Sequence, residues 1–346
     1  MRNRRSQWDA LLETILPGQT PVTFLMMLFC IATYLLGAIQ THLLWDSDGA
    51  ALLRMGANFG PQTIAGGEWW RLGTYAFLHG GVIHLLFNMM ALNNLGPLVE
   101  LRLGTARFGA LYVVSAVTGG LGSLVSGTAL SVGASGAITG IIGAGIVIGH
   151  LTPGAMAREI RDRLLFWLGI NLLIGFMPGS GLNIDNGAHI GGLVGGAALG
   201  WLFLKLEWTA PGFARAARVP LGLLPVALVA SLGWQFYLMR NVAPIQGGAA
   251  ALGEAGEEAL MRGCYEELEA ENWAAAERPC GTWRYAMPDK TIPYLIMAAL
   301  YEELGQTGRA EREKRLILAL APDAEDLANL TMPPPERLKV YMAASR

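Results

Sequence analysis

The sequence predicts an all-α polytopic membrane protein: a six-helix bundle plus one C-terminal transmembrane helix, followed by a small soluble α-helical domain. Hydrophobic residues make up 53% of the chain and charged residues 15%, against about 25% charged residues in ordinary soluble domains. The apolar residues fall in blocks long enough to cross a bilayer, such as residues 22–44, which carry no charge. Residues 251–346, by contrast, hold 17 of the 27 acidic residues.

Seven apolar segments are predicted to span the membrane, and the fifth of them is short. They are Val22–Leu44, Val82–Val99, Phe108–Val125, Ser135–Leu151, Leu164–Met177, Gly187–Leu204 and Leu221–Met239. We therefore divide the chain into a cytoplasmic lead, a six-helix core, an inside loop with the seventh helix, a linker and a helical domain. These are residues 1–20, 21–206, 207–240, 241–253 and 254–346. The N-terminal arginines precede a full-length span without a small-residue cleavage site, which predicts a retained helix.

Lysine and arginine positions predict the orientation of these spans. With the N-terminus in the cytoplasm, the inside segments hold 11 basic residues and the outside segments hold 3. Basic residues near span ends favour the cytoplasmic side. Seven spans then place the acidic C-terminal domain outside the cytoplasm, and we expect a multi-pass protein of the bacterial inner (plasma) membrane.

The connection Trp45–Gly81 is rich in glycine and aromatic residues and includes Trp70 and Arg71. Tryptophan and arginine favour the membrane interface, where the guanidinium finds phosphate or carbonyl groups. The composition fits an interfacial loop lying partly in the outer leaflet and, equally, an ordinary extramembrane loop with an aromatic anchor.

Polar residues recur at one depth in the second, fourth and sixth spans. His84 and Asn88 are four residues apart on one helical face, while Ser135 and His189 each lie near the start of a span. Polar groups inside a membrane are costly, and helix-to-helix hydrogen bonding is their usual role. Independent packing contacts have no reason to share a depth, so the coincidence favours a functional site.

Small residues give two of these spans a bare face. Gly136 and Gly140 recur at a spacing of four after Ser135, and Gly192 and Gly196 do the same after His189. Such spacing is most often only a packing seam, but here it would also bring the two helices close together.

Attack on an amide needs a nucleophile, a base within hydrogen-bond reach and donors for the developing oxyanion. Ser135 and His189 are candidates for the first two. His84, Asn88 and the backbone N–H at the head of the serine helix are candidate donors. Asp185 precedes His189 by four residues, but a loop aspartate is more often solvated than an orienting carboxylate.

At these residues the sequence resembles the rhomboid intramembrane serine proteases. Gly133-Ala134-Ser135-Gly136 is similar to the family's nucleophile motif, and the segments 84–88 and 188–196 are similar to its HxxxN and AHxxGxxxG motifs. Trp70-Arg71 resembles the family's loop-one pair, and Glu100 with Gly104 resembles its inside turn. The likeness covers about residues 22–205 and follows the family's order.

The resemblance implies a serine endopeptidase with a dyad of Ser135 and His189. It also implies an oxyanion site formed by Asn88, His84 and the Ser135 backbone, and cleavage of transmembrane protein substrates near the outer face. One departure is Thr139, where many members place an aromatic ring against the base. A catalytically silent relative that binds transmembrane clients is the alternative interpretation. A channel or transporter would require charged residues along a path, and none lies mid-span.

The tail shows a 34-residue period in which Ala276 matches Ala310 and Pro288 matches Pro322. It resembles tetratricopeptide repeats, with the second unit fitting better than the first. Two repeats are fewer than the roughly three usually needed for stability. Binding of a protein partner and a purely stabilising role are equally open.

Cys264 and Cys280 fall eight residues either side of a turn at Asn272, so an antiparallel hairpin would bring them level. We predict a disulfide, as expected outside the cytoplasm. The histidines lack ligand-type spacing and no cysteine lies near them, so no metal and no cofactor are expected. The expected partners are transmembrane substrates and the lipid bilayer, and no nucleic acid.

Overall fold

The computed structural model describes residues 20–41, 44, 45, 47, 49–128, 130–175, 184–212, 226, 230, 233, 253–288, 290–321 and 334–344. The regular structure of these ranges is helical. The α-helices are α1 (Pro21–Thr41), α2 (Gly49–Met55), α3 (Arg71–Thr74), α4 (Val82–Leu103), α5 (Thr105–Val125), α6 (Ser135–Leu151), α7 (Ala155–Gly175), α8 (Asn186–Thr209), α9 (Gly253–Glu269), α10 (Trp273–Ala286), α11 (Thr291–Glu303), α12 (Thr307–Leu320) and α13 (Pro334–Ala344). A π-helix over Pro61–Ala65 and a 3-10 helix over Tyr75–Phe77 lie between α2 and α4.

Six of the seven predicted spans correspond to helices. Four of them, α1, α4, α5 and α8, are long and apolar enough to cross a membrane, and α6 is a shorter apolar helix with the predicted bounds. Helix α7 begins at Ala155 rather than Leu164, because the charged residues 158–163 continue the helix. The predicted seventh span lies outside the described residues except for three positions, and so do most of the lead and of the linker.

The chain forms two compact units. The first is built from the described parts of residues 1–34 and 72–231, and the second from those of 35–71 and 232–346. The segment 35–71 therefore groups with the C-terminal helices.

Glycine contacts hold the centre of the first unit, where α8 packs against α6 and α5. A Cβ atom on Gly192 would lie 1.9 Å from the carbonyl oxygen of Gly136, and one on Gly196 would lie 2.1 Å from that of Gly140. Real side chains do not approach so closely, so only glycine permits this separation of the two backbones. The bare faces seen in the sequence do meet each other.

The start of α1 is fixed by a buried carboxylate near the end of α4. Glu100 accepts hydrogen bonds from the backbone N–H groups of Val22 and Thr23, at 3.0 and 2.8 Å, and from the Thr23 hydroxyl at 2.7 Å. These N–H groups have no partner within their own helix. Glu100 thus satisfies them, and Gly104, at φ +78°, turns the chain into α5.

Large apolar side chains point away from the first unit. On α4 these include Ile83, Leu86, Phe87 and Met90, all exposed. A soluble protein rarely exposes such a stripe, whereas a bilayer would cover it. The outer face of the unit is suited to lipid.

The second unit has a core of its own, built around α11. Every residue from Pro293 to Tyr301 on this helix is buried. Helices α12 and α13 pack directly against it, as does α10. Arg284 and Glu313 form a bidentate pair at 2.9 and 3.0 Å inside this core. Helix α13 adds Leu338, Tyr341 and Met342 to the core, enlarging it beyond the two predicted helical pairs.

Candidate active site

Ser135 is the first residue of α6, and Gly133 precedes it with φ +126°. The N–H of Gly133 donates to the carbonyl oxygen of Tyr75 at 3.0 Å, which anchors the approach to the helix. A Cβ atom on Gly133 would lie 2.8 Å from both Cε1 and Nε2 of His84 and 3.7 Å from Ser135 Oγ. The serine hydroxyl and the His84 ring therefore converge on a position that only glycine leaves open.

His84 lies in the first turn of α4, with Asn88 one turn later. The Gly80 N–H donates to His84 Nδ1 over a long 3.4 Å, and Asn88 Nδ2 donates to the His84 carbonyl oxygen at 2.9 Å. A neutral imidazole that accepts at Nδ1 carries its proton on Nε2. Nε2 and the neighbouring Cε1 are the ring atoms nearest the Gly133 position, so His84 places this donor beside the segment that carries Ser135.

His189 lies in the first turn of α8, next to the point where α8 meets α6. A Cβ atom on Gly136 would lie 3.3 Å from the carbonyl oxygen of Ala188 and 3.6 Å from its Cβ. The residues adjacent in sequence to Ser135 and His189 are therefore in backbone contact. The structure brings His84, Asn88, Ser135 and His189 to one end of the bundle, because α4, α6 and α8 all begin there.

Thr139 lies across the seam between α6 and α8. Its hydroxyl is 2.9 Å from the Gly136 carbonyl oxygen and 3.0 Å from the His189 carbonyl oxygen. One hydroxyl proton is shared between these two acceptors. In place of an aromatic ring, this chain has a hydrogen bond to the backbone of His189.

Asp185 caps the start of α8. Its Oδ1 accepts from the Ala188 N–H at 2.9 Å and from the Thr128 hydroxyl at 3.1 Å. The aspartate thus holds the helix that carries His189 and ties it to the segment before Ser135. This is a positioning contact, made through the backbone rather than the imidazole.

Tyr75 is a site neighbour that sequence reasoning missed. Its hydroxyl donates to the Ala116 carbonyl oxygen at 3.0 Å. A Cβ atom on Gly119 or on Gly136 would lie 2.7 Å from this hydroxyl. The fully buried ring therefore lies between α5 and α6, beneath the residue that follows Ser135. No periodicity marks this position, since it lies in a short 3-10 turn.

Trp70 and Arg71 belong to the second unit. The Arg71 guanidinium donates to the carbonyl oxygens of Leu53 and Ala57 at 2.7 and 2.8 Å and to Glu68 at 2.5 Å. It also lies 4.7 Å from the centre of the Trp70 ring. The Arg71 guanidinium thus binds carbonyl groups, as expected for an arginine near a membrane interface, but these carbonyls belong to its own loop.

Comparison with known proteins places these features in a family. A rhomboid domain matches residues 66–206, which include every polar residue of the site. Rhomboid protease GluP of Bacillus subtilis (strain 168) is 34% identical over 253 residues, covering 71% of this chain and 48% of that protein. RHOMBOID-like protein 7 of Arabidopsis thaliana is 33% identical over 223 residues, covering 58% and 70%. YdcA of Bacillus subtilis (strain 168) is 34% identical over 188 residues, covering 53% and 88%.

The chain belongs to the rhomboid family. With its several long apolar helices, it is a multi-pass membrane protein. It spans about half the length of GluP and of RHOMBOID-like proteins 1 and 5 of Arabidopsis thaliana, at 48%, 46% and 54%.

Proposed function

We propose that this protein is an intramembrane serine protease that hydrolyses peptide bonds of transmembrane proteins. The observation that carries the proposal is the convergence of Ser135 Oγ and the His84 ring on Gly133, beside a seam that brings the start of the His189 helix against Gly136. A nucleophile, a base and an oxyanion donor are the groups that acyl transfer requires.

In the proposed reaction, Ser135 Oγ attacks the substrate carbonyl carbon while His189 accepts the hydroxyl proton. The carbonyl oxygen becomes the oxyanion of a tetrahedral intermediate. His189 then donates the proton to the leaving amine, and the C–N bond breaks to give an acyl-enzyme. Water, activated by His189, hydrolyses the ester and restores the Ser135 hydroxyl.

Three donors are proposed for the oxyanion. His84 would offer Nε2–H, because the Gly80 N–H donates to Nδ1 and leaves the proton on Nε2. The Ser135 N–H belongs to the first turn of α6, where backbone donors lack partners in their own helix. Asn88 Nδ2 has a second proton beyond the one donated to the His84 carbonyl oxygen. Donors fixed before reaction stabilise the oxyanion without reorganisation.

We place the reaction near the outer face of the bacterial inner membrane. The support is the basic bias of 11 residues against 3, which assigns the N-terminus to the cytoplasm. The site lies at the beginnings of α4, α6 and α8, which are then on the outer side. The seven predicted spans put the C-terminal domain on the same side.

The test is cleavage of a purified reporter transmembrane substrate in detergent and in liposomes. Ser135→Ala and His189→Ala should abolish cleavage, while His84→Ala and Asn88→Ala should each lower kcat by about 10²- to 10³-fold, as loss of one oxyanion donor does. Thr209→Ala, which removes an exposed hydroxyl at the far end of α8, is the matched control and should cleave normally.

Cleavage that persists in Ser135→Ala would overturn the proposal. Absence of cleavage by the wild-type protein across several substrates, together with retained substrate binding, would instead indicate the silent client-binding alternative.

A further inference from the structure

Loop 1, which we define as residues 49–71, packs against helices that follow residue 253. Both lie in the second compact unit. Helix α2 packs against α10, and the π-helix Pro61–Ala65 packs against α12. The contact therefore joins parts of the chain separated in sequence by the core helices α4 to α8.

Glu68 is the centre of this contact. Its Oε2 pairs with Arg71 of loop 1 at 2.5 Å, and its Oε1 pairs with Arg312 of α12 at 3.1 Å. Arg312 also approaches Glu313 at 3.5 Å, and Glu313 pairs with Arg284. Charges of alternating sign thus run without interruption from loop 1 into the core of the C-terminal helices.

The contact is largely removed from water. The Glu68 side chain is 9% exposed, that of Glu313 1% and that of Arg71 0%. Burial opposes ionisation of Glu68, but the charges of Arg71 and Arg312 outweigh it and lower the pKa of the carboxyl group. Removing one member of such a network leaves an uncompensated buried charge.

A second bond lies beside this network. Arg315, one turn beyond Arg312, donates from Nε to the carbonyl oxygen of Ala65 at 2.9 Å. Ala65 ends the π-helix, where backbone carbonyls lack helical partners. Loop 1 therefore supplies a carboxylate and a carbonyl to two arginines on one face of α12.

We propose that the binding partner of the C-terminal helical domain is loop 1 of its own chain, held by Arg312 and Arg315. Glu68 thereby connects Arg312 of α12 to Arg71 of loop 1. Arg71 in turn donates to the carbonyl oxygens of Leu53 and Ala57 within the loop. The domain is a clamp on the loop that leads into α3 and Tyr75. It must also lie on the same side of the membrane as loop 1.

Cross-linking in native membranes tests the contact directly. The full chain carrying Ser135→Ala with Ala65→Cys and Glu311→Cys, an exposed position of α12 one turn before Arg315, should link internally with a short bifunctional thiol reagent. The matched control pairs Ala65→Cys with Lys339→Cys, an exposed residue of α13. Equal yields for the two pairs, or no link in the first, would overturn the proposal.

Limited trypsin digestion tests the role of the charges. Arg54 and Arg71 are 3% and 0% exposed, so both should resist cleavage in the wild-type loop. Arg312→Glu and, independently, Glu68→Gln should raise cleavage at Arg71 by at least about tenfold, as local opening becomes more frequent. Arg309→Glu lies on the same helix but breaks the pair with Glu277 inside the C-terminal domain. It should leave cleavage at Arg71 unchanged.

Unaltered protection in both Arg312→Glu and Glu68→Gln would refute the clamp. Because neither cross-linking nor trypsin protection reads the proteolytic activity of this protein, the outcome is independent of the proposed function.

Discussion

The Thr139 hydroxyl lies 3.0 Å from the carbonyl oxygen of His189 and thereby links the helix of the proposed nucleophile to the helix of the proposed base. We predict that Thr139→Val, which keeps the shape and removes the donor, destabilises the protein by only about 0.5–1.5 kcal/mol. Displacement of the His189 backbone should lower kcat by about 10- to 100-fold.

The control for this prediction is Thr139→Ser, which retains the hydroxyl and should retain most activity. The measurement is kcat and KM on one reporter substrate beside a thermal unfolding curve. A Thr139→Val enzyme with unchanged kcat would contradict the positioning role.

The seam between α6 and α8 should not tolerate a methyl group at Gly192. Gly192→Ala would place its Cβ 1.9 Å from the Gly136 carbonyl oxygen, so the helices must separate. We expect destabilisation of about 1–3 kcal/mol, as for other overpacked sites, and loss of activity. Gly169→Ala, on α7, would place its methyl more than 4 Å from any described residue outside its own helix backbone, and it should be neutral in both assays.

Gly133 allows a prediction that separates backbone strain from steric blocking. Gly133 and Gly127 both have positive φ, at +126° and +74°, but only at Gly133 would a Cβ meet the His84 ring. Both alanine variants should lose stability, because alanine disfavours this conformation. Only Gly133→Ala should lose cleavage of the reporter out of proportion to its stability, and equal loss in the two would contradict this geometry.

The pH dependence of the second unit should report Glu68. Its pKa is lower in the folded protein than its ordinary value of 4.5, because the charges of Arg71 and Arg312 outweigh burial. Its contribution to stability is therefore complete above the unfolded pKa and is lost as pH falls through the lower folded pKa. Wild type should exceed Glu68→Gln in unfolding free energy at pH 7, and the two should converge in acid. A constant difference across this range would show that the carboxylate charge is not the cause.

Cys264 and Cys280 are paired in the structure, and we predict one intact disulfide in the native protein. Alkylation without reductant, followed by mass measurement, should leave both sulfurs unmodified. Closing a loop of this length, with a separation of 16 residues, contributes about 3 kcal/mol, so reductant should lower the unfolding temperature of the C-terminal helices. The unfolding temperature of the double variant Cys264→Ala with Cys280→Ala should not change with reductant. Two free thiols in the native protein would contradict the prediction.

Hydropathy predicted the six spans that correspond to described helices, and motif spacing selected the polar residues that the structure brings to one end of the bundle. The predicted bounds of α6 match the structure because a continuous apolar run ends at a Thr-Pro pair. The span predicted from Leu164 is preceded by helical turns that begin at Ala155. These turns are charged, and a charge pattern does not distinguish a helical extension from a loop. The disulfide pair was found because eight residues on each side of a turn is a local relationship.

Local patterns did not predict the contacts of Tyr75, Thr139 and Glu68, because these contacts are made with residues distant in the chain. The sequence left open whether loop 1 lies at the membrane interface or is an ordinary extramembrane loop, and it did not predict that the buried Glu68 pairs with Arg312. Glu68 and Arg312 are 244 positions apart, and no periodic pattern connects them.

The sequence by itself determined that this is a helical membrane protein of the rhomboid type with polar groups at the head of three spans, because hydropathy and helical spacing are properties of neighbouring residues. Only the tertiary structure decided that Thr139 bonds the His189 backbone, that Tyr75 lies beneath the serine helix and that loop 1 binds the C-terminal helices. These relationships depend on how closely backbones approach, and that distance is set by packing of the whole chain.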